Sequence, residues 1–301
     1  MNKILPPTLI ILLGPTGVGK TALSIRIANH FGTEIISCDS RQLFREMSIG
    51  TAVPGEELLN QVPHHFIRSH SIFDNYNAAR FETDVMERLQ SLFAVHRTVL
   101  MTGGSMLYID AVCRGIDDLP DIDPELRATL ANRMNQEGIE RLRAELKLLD
   151  PAYYHEIDLQ NPVRILRALE VCYTTGKTFS SQRTRTSKER NFRIVKIGLN
   201  RDRSELYDRI NQRVDEMMLA GLELEARSLY PNRQLNTLNT VGYRELFEYF
   251  EGNCNRGEAV EKIKANTRKY ARKQLTWFRK DPDIQWFHPN QEAEIFSSIF
   301  N

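Results

Sequence analysis

The chain has 301 residues, with 40 Lys plus Arg against 39 Asp plus Glu, a formal net charge of +1 and 41% hydrophobic residues. That composition excludes a mainly disordered chain and a polybasic tail protein, and the length suffices for one large domain or a core carrying a smaller one. Averaged over the whole surface, near-neutrality also argues against a nucleic-acid partner.

The first apolar run, residues 8–13, is too short to cross a bilayer and leads into Gly14-Pro15-Thr16-Gly17-Val18-Gly19-Lys20-Thr21, so it reads as a buried strand rather than a leader. The motif satisfies G-x-x-x-x-G-K-[ST], and residues 20–30 after it read as a helix. Its glycines let backbone N–H groups curl around phosphate oxygens, the helix N-terminus adds its dipole, Lys20 supplies a point charge, and Thr21 offers a hydroxyl to Mg2+. Residues 34–37 read as the second strand, which completes a βαβ opening and puts Asp39 at a strand end, where ligands sit in open α/β sheets. A carboxylate there can take a proton from an incoming nucleophile, or it can simply cap the next turn. His64, His65 and His70 lack the spacing of a metal site and read as loop histidines.

Phe81, Val85, Leu89 and Leu92 recur at helical spacing and predict a helix over 78–95, followed by a strand over 98–101 that runs into Gly103-Gly104-Ser105. A switch or motor NTPase would carry an acidic Mg2+ ligand at that strand end. The turn-rich stretch 115–120 opens a region of helices without strands, in which Asp123-Pro124 and Asn161-Pro162 each set an N-cap residue before a Pro at the first helical position. A polar segment, 180–193, returns to a strand over 194–199. The expected architecture is therefore α/β: a parallel sheet core of the P-loop NTPase kind over residues 1–118 and 192–301, with an inserted helical domain over 119–191.

Beyond the strand, Asp202 and Glu205 stand at capping-box spacing before a helix expected to reach Leu229, with Arg209 and Arg213 on one face. Arg213 suits a clamp on a departing diphosphate, and a solvated basic face is the plainer alternative. Helices follow around Tyr243 and over 258–279; the residues from Asp281 onward carry little pattern. Residues 262–280 hold eight Lys or Arg and no acid, with Trp277 and Phe278 expected in the core and Tyr270 on an apolar stripe. A second basic segment spans 183–203, so two basic surfaces could form a nucleic-acid footprint despite the neutral total. Cys38, Cys113, Cys172 and Cys254 are scattered, without a C-x-x-C pair, as in a reduced, cytoplasmic protein without structural zinc.

Nine ordered segments resemble the tRNA dimethylallyltransferases, also called tRNA isopentenyltransferases, over residues 14–279. They are GPTGVGKT, SCDSRQLFREMSIGTAVP, VPHHFI, YNAARFETD, GGSMLY, GIDDLP, NPVRILRALEV, TVGYRE and TRKYARKQLTWFR. The resemblance implies transfer of a dimethylallyl group from dimethylallyl diphosphate to N6 of adenine 37 in tRNA, with Mg2+, by a cytoplasmic monomer. It implies that residues 14–21 bind the diphosphate, that Asp39 is the general base, that Lys20 and Thr21 grip diphosphate and Mg2+, and that Arg213 neutralises the leaving oxygen. It also implies contact with the tRNA anticodon stem-loop by Asp39, Ser40, Arg41, Gln42, Ser105 and Arg127, by Val163, Arg164, Ile165, Leu166 and Arg167, and by Asn239, Thr240, Val241, Gly242, Tyr243 and Arg244. Ser105 stands where the family commonly has Thr. A P-loop kinase acting on a small metabolite is the alternative that the phosphate loop alone leaves open.

Overall fold

A computed structural model describes residues 6–117, 119–184 and 186–300 of the chain. Asp118, in the GIDDLP segment, and Arg185, in the second basic segment, lie outside the described residues.

One compact unit comprises residues 1–113 and 189–301, and residues 114–188 form another. The first is built on six parallel strands: β1 (Thr8–Leu13), β2 (Ile35–Cys38), β3 (His64–His65), β4 (Thr98–Gly103), β5 (Arg193–Leu199) and β6 (Ile284–Phe287). They lie in the order β3-β2-β4-β1-β5-β6. The inner strands carry fully buried apolar runs, Leu9 to Leu13 in β1 and Val99 to Met101 in β4, as a parallel sheet covered on both faces requires. Register brings Leu13 level with Gly103 and Gly198, and Gly103 level with Cys38. The residues that follow β1, β2 and β4 therefore emerge together at one sheet edge, where Gly14, Asp39 and Gly104 become neighbours. The packing there is close enough that a Cβ on Gly103 would lie 1.9 Å from the Cys38 carbonyl oxygen.

β3, β6 and the helices Met106–Arg114 and Glu292–Phe300 were not expected from sequence. β3 has two residues and β6 four, too few for a period to show. β6 is held to β5 by Lys196, whose buried ammonium lies 2.7 Å from Asp281. The helix opened at Asp202 differs from expectation in two ways. Asp202 makes no side-chain cap, and Glu205, the other half of the expected box, pairs with Arg201 and His288. The helix Arg203–Leu219 then stops at Gly221, whose φ of +101° is left-handed, before a second helix, Leu222–Leu229. A capping box does form further on, where Asn255 and Glu258 open the helix Arg256–Phe278.

The second unit is built of helices, with no strand among the described residues, and has a core of its own around Leu130, Leu142, Leu146, Ile165 and Leu169. The expected Asp-Pro and Asn-Pro starts are present: Asp123 caps Glu125 N at 2.9 Å, and Asn161 caps Arg164 N at 3.3 Å. Asp150 is fully buried yet satisfied, accepting from Tyr153 N, Ser180 N and the Ser180 hydroxyl. Among the described residues, no helix is long and apolar enough to cross a membrane.

Candidate active site

The phosphate loop leaves β1 through Gly14, Gly17 and Gly19, at φ +149°, +80° and +108°. A side chain at Gly14 would be 2.6 Å from the Leu199 carbonyl, so this turn demands glycine for space as well as for conformation. The loop's carbonyls are turned toward cations. Lys20 Nζ donates to Gly14 O and Pro15 O, both at 2.9 Å, Arg209 Nε to Gly17 O at 2.9 Å and Arg201 Nε to Val18 O at 2.8 Å. Gly19, the N-cap of the helix Lys20–Phe31, offers no side-chain acceptor, so that helix's first amides keep their capacity for an anion. Burial, and after it the Arg213 charge, lowers the Lys20 pKa to about 8, while Asp39 pulls the other way.

The loop is anchored by a residue that sequence reasoning overlooked. Gln274 is 2% exposed; its carbonyl oxygen accepts from Thr16 N and its amide donates to Gly104 O, each at 2.9 Å. One carboxamide thus fastens the phosphate loop to the end of β4. Its only sequence signal is a Gln on a face otherwise read as apolar.

Two cavities open at this sheet edge. The first, of about 430 Å³, is lined by the loop with Lys20, Thr21, Gln42, His64, Arg209 and Gln274. The second, of about 330 Å³, is lined by Ser40, Arg41, Gly50, Thr51, Asn239, Thr240, Val241, Gly242 and Arg244 among others. Four residues line both: Thr16, Asp39, Arg213 and Tyr270. Asp39 is therefore a turn cap and a cavity residue at once. Its Oδ1 accepts from Arg41 N at 2.9 Å and Gln42 N at 3.3 Å, while no hydrogen bond from the described residues reaches Oδ2. Arg213 comes to this junction rather than to a solvated face. Burial lowers its pKa and Asp39 raises it.

Tyr270 stands at the junction, not in the core where its spacing had placed it. Burial, and after it Asp39, pushes its phenol up to about 12, so it is a hydrogen-bond donor at neutral pH. Ser105 is buried, and its hydroxyl accepts from Ser40 N at 2.8 Å, tying the strand-end loops together. Tyr243 is also fully buried, behind the second cavity.

In the helical unit, Val163 is 72% exposed and Arg164 is exposed, whereas Ile165 belongs to the core and does not reach the surface. Arg127 and Arg167 converge on the buried carboxylate of Glu170, at 3.0 and 3.3 Å.

The basic segments divide on inspection. Lys262 and Lys264 pair with Glu248 and with Asp215 and Glu261, and Arg268 bonds Asn211. Lys269, Arg272, Lys273 and Lys280 are exposed and have no carboxylate partner among the described residues; they surround Trp277. Trp277 is 39% exposed rather than core, its indole donating to Asp110, while Phe278 is buried. Much of the second segment is spent internally, with Arg183 on Glu156, Arg190 on Glu82 and Arg201 on Glu205. No group of three His, Cys, Asp or Glu able to hold a metal occurs among the described residues.

A family model described as IPP transferase matches residues 42–281. A protein named tRNA dimethylallyltransferase 1 from Bacteroides fragilis is 59% identical over 292 residues, 97% of either chain. The crystal structure of a full-length tRNA isopentenylpyrophosphate transferase from Bacillus halodurans superposes with a TM-score of 0.71 at 34% identity, covering 98% of this chain and 96% of that one. A eukaryotic dimethylallyltransferase, solved in crystallographic snapshots acting on tRNA, shares the fold, with a TM-score of 0.78 at 23% identity over 98% of this chain and 79% of its own.

Proposed function

The chain belongs to the IPP transferase family and prenylates tRNA, and we propose that it carries a dimethylallyl group from dimethylallyl diphosphate to the exocyclic N6 of adenine 37. One observation carries the reading: two cavities of different chemistry meet at Asp39 and Arg213. The phosphate-loop cavity suits the diphosphate, and the cavity walled by residues 239–242 suits a base withdrawn from its stack. The kinase alternative is not favoured, since the relatives are transferases of prenyl groups.

Adenine's amine is a weak nucleophile because its lone pair is delocalised into the ring. Asp39 takes the N6 proton as the N6–C1 bond forms and the C1–O bond to diphosphate breaks, a role worth about 10²–10⁴ in rate. Charge developing on the leaving oxygen is met by Lys20 and Arg213, which line the phosphate-loop cavity, and by the first amides of the helix Lys20–Phe31. Thr21 is exposed in the same cavity, and its hydroxyl is an oxygen donor of the kind a Mg2+ accompanying the diphosphate would take. When bound, that ion supplies further neutralisation of the leaving group.

On the tRNA side, Asp39, Ser40 and Arg41 with Asn239 to Gly242 and Arg244 address the nucleotide, whereas Gln42 lines the phosphate-loop cavity and Tyr243 is buried behind the wall; the cations around Trp277 that have no carboxylate partner among the described residues address phosphates. Arg127 and the exposed members of 163–167 address the anticodon stem-loop. We place it in the cytoplasm as a monomer; four free cysteines suit that compartment.

Incubation with dimethylallyl diphosphate, Mg2+ and unmodified tRNA is expected to yield prenyl-adenosine at position 37. No such product, with phosphate passing from ATP to a small acceptor instead, would replace this reading with the kinase.

A further inference from the structure

Glu225 lies on the helix Leu222–Leu229 and lines neither cavity, yet four hydrogen bonds converge on it. Oε2 accepts from Ser48 N at 2.9 Å and Ile49 N at 2.8 Å; Oε1 accepts from Gly50 N at 2.9 Å and the Tyr243 hydroxyl at 2.6 Å. A carboxylate has about four acceptor sites and no donor, so this one is filled. The donors come from two stretches of chain, residues 48–50 and the residue 243 neighbourhood, and these supply two parts of the second cavity's wall, through Gly50 and Thr51 and through residues 239–242. The walls also touch directly. A Cβ on Gly50 would lie 2.6 Å from the Tyr243 ring and hydroxyl, so only glycine lets them close. Burial, and after it Glu225, holds the Tyr243 phenol far above its ordinary pKa, which keeps it a donor throughout the working pH range.

We infer that Glu225 is a positioning residue for the nucleobase: it fastens the two walls of the base-side cavity to each other and thereby sets the shape in which the acceptor adenine is held. The inference rests on the assignment of that cavity to the base. Glutamine could not substitute, because its NH2 would face backbone N–H donors that the carboxylate now satisfies. Glu225 makes no contact with the phosphate loop, so its effect falls on one substrate of two.

The test compares wild type, Glu225→Gln and Gly50→Ala in full steady-state kinetics, with circular dichroism and thermal melts fixing the folded fraction. Glu225→Gln is expected to raise KM for tRNA, or lower the single-turnover rate at saturating tRNA, by about tenfold or more, with KM for dimethylallyl diphosphate unchanged within twofold. Gly50→Ala, which spreads the same walls from the other side, is expected to show the same one-sided pattern, and the double variant to be little worse than either single. Equal changes in both KM values, no change in either, or independent effects that multiply in the double variant would overturn the inference. A wild type that makes no prenyl-adenosine would instead sink the functional reading beneath it.

Discussion

At the scale of single residues, the site depends on charges whose roles separate kinetically. Arg213 lines both cavities and is drawn toward Asp39, so Arg213→Ala is expected to lower the single-turnover rate by about 10²–10³ while changing tRNA affinity little. The reverse pattern would assign Arg213 to a tRNA phosphate. Lys20 gives a pH signature with a definite sign. Its ammonium is charged in the free protein below about pH 8, and diphosphate favours the charged form. Affinity for dimethylallyl diphosphate should therefore be level below that pH and fall above it, with proton uptake on binding detectable by calorimetry in buffers of different ionisation heat. Level affinity through pH 9 would show that Lys20 does not titrate against the ligand. The sequence exposed Lys20 and Asp39 because each ends or begins an element whose pattern is plain. It hid Tyr270, Gln274 and Glu225, whose importance comes from contacts across up to 258 positions, as between Thr16 and Gln274.

At the scale of elements, the helix Arg256–Phe278 joins the phosphate loop to both cavities through Tyr270 and Gln274. Gln274→Met keeps the volume and removes both hydrogen bonds, leaving Thr16 N and Gly104 O without their partner. A cost of about 1–3 kcal/mol is expected in denaturant unfolding, together with a raised KM for the diphosphate and an unchanged KM for tRNA. A melt and both KM values equal to wild type would show that the loop holds its shape unaided. β6 provides an independent case. Asp281→Ala leaves the Lys196 ammonium without its closest carboxylate, Asp283 being 3.8 Å away and exposed, and should cost about 3 kcal/mol or more in the same measurement. The long, periodic elements were legible: β1, the helix Ala78–Phe93 and the Pro-started helices of the insertion are where spacing and caps put them. The helix expected to run from Asp202 to Leu229 starts where expected and is interrupted at Gly221, whose left-handed φ ends Arg203–Leu219 before Leu222–Leu229 begins.

For the molecule as a whole, a net charge of +1 is a poor guide, because pairing consumes the charge unevenly. Arg183, Arg190, Arg201, Lys262 and Lys264 are spent on carboxylates, whereas Lys269, Arg272, Lys273 and Lys280 are exposed without one among the described residues. If those four meet phosphates, log affinity for tRNA should fall against log salt with a slope of about −3 from them alone, and replacing them with Gln should flatten it. The sequence revealed how many cations there were, but which remained free was settled only by folding. The same holds for the site: its phosphate loop was legible as a motif, while the meeting of two cavities depends on strand order and register. Asp39 stands where those cavities meet, and we assign it the removal of the N6 proton. The most direct test of that role is the single-turnover rate of Asp39→Ala with saturating tRNA and dimethylallyl diphosphate, measured beside its tRNA affinity. The rate is expected to fall by about 10²–10⁴ with affinity within a few-fold of wild type; a near-normal rate would mean that another group is the base.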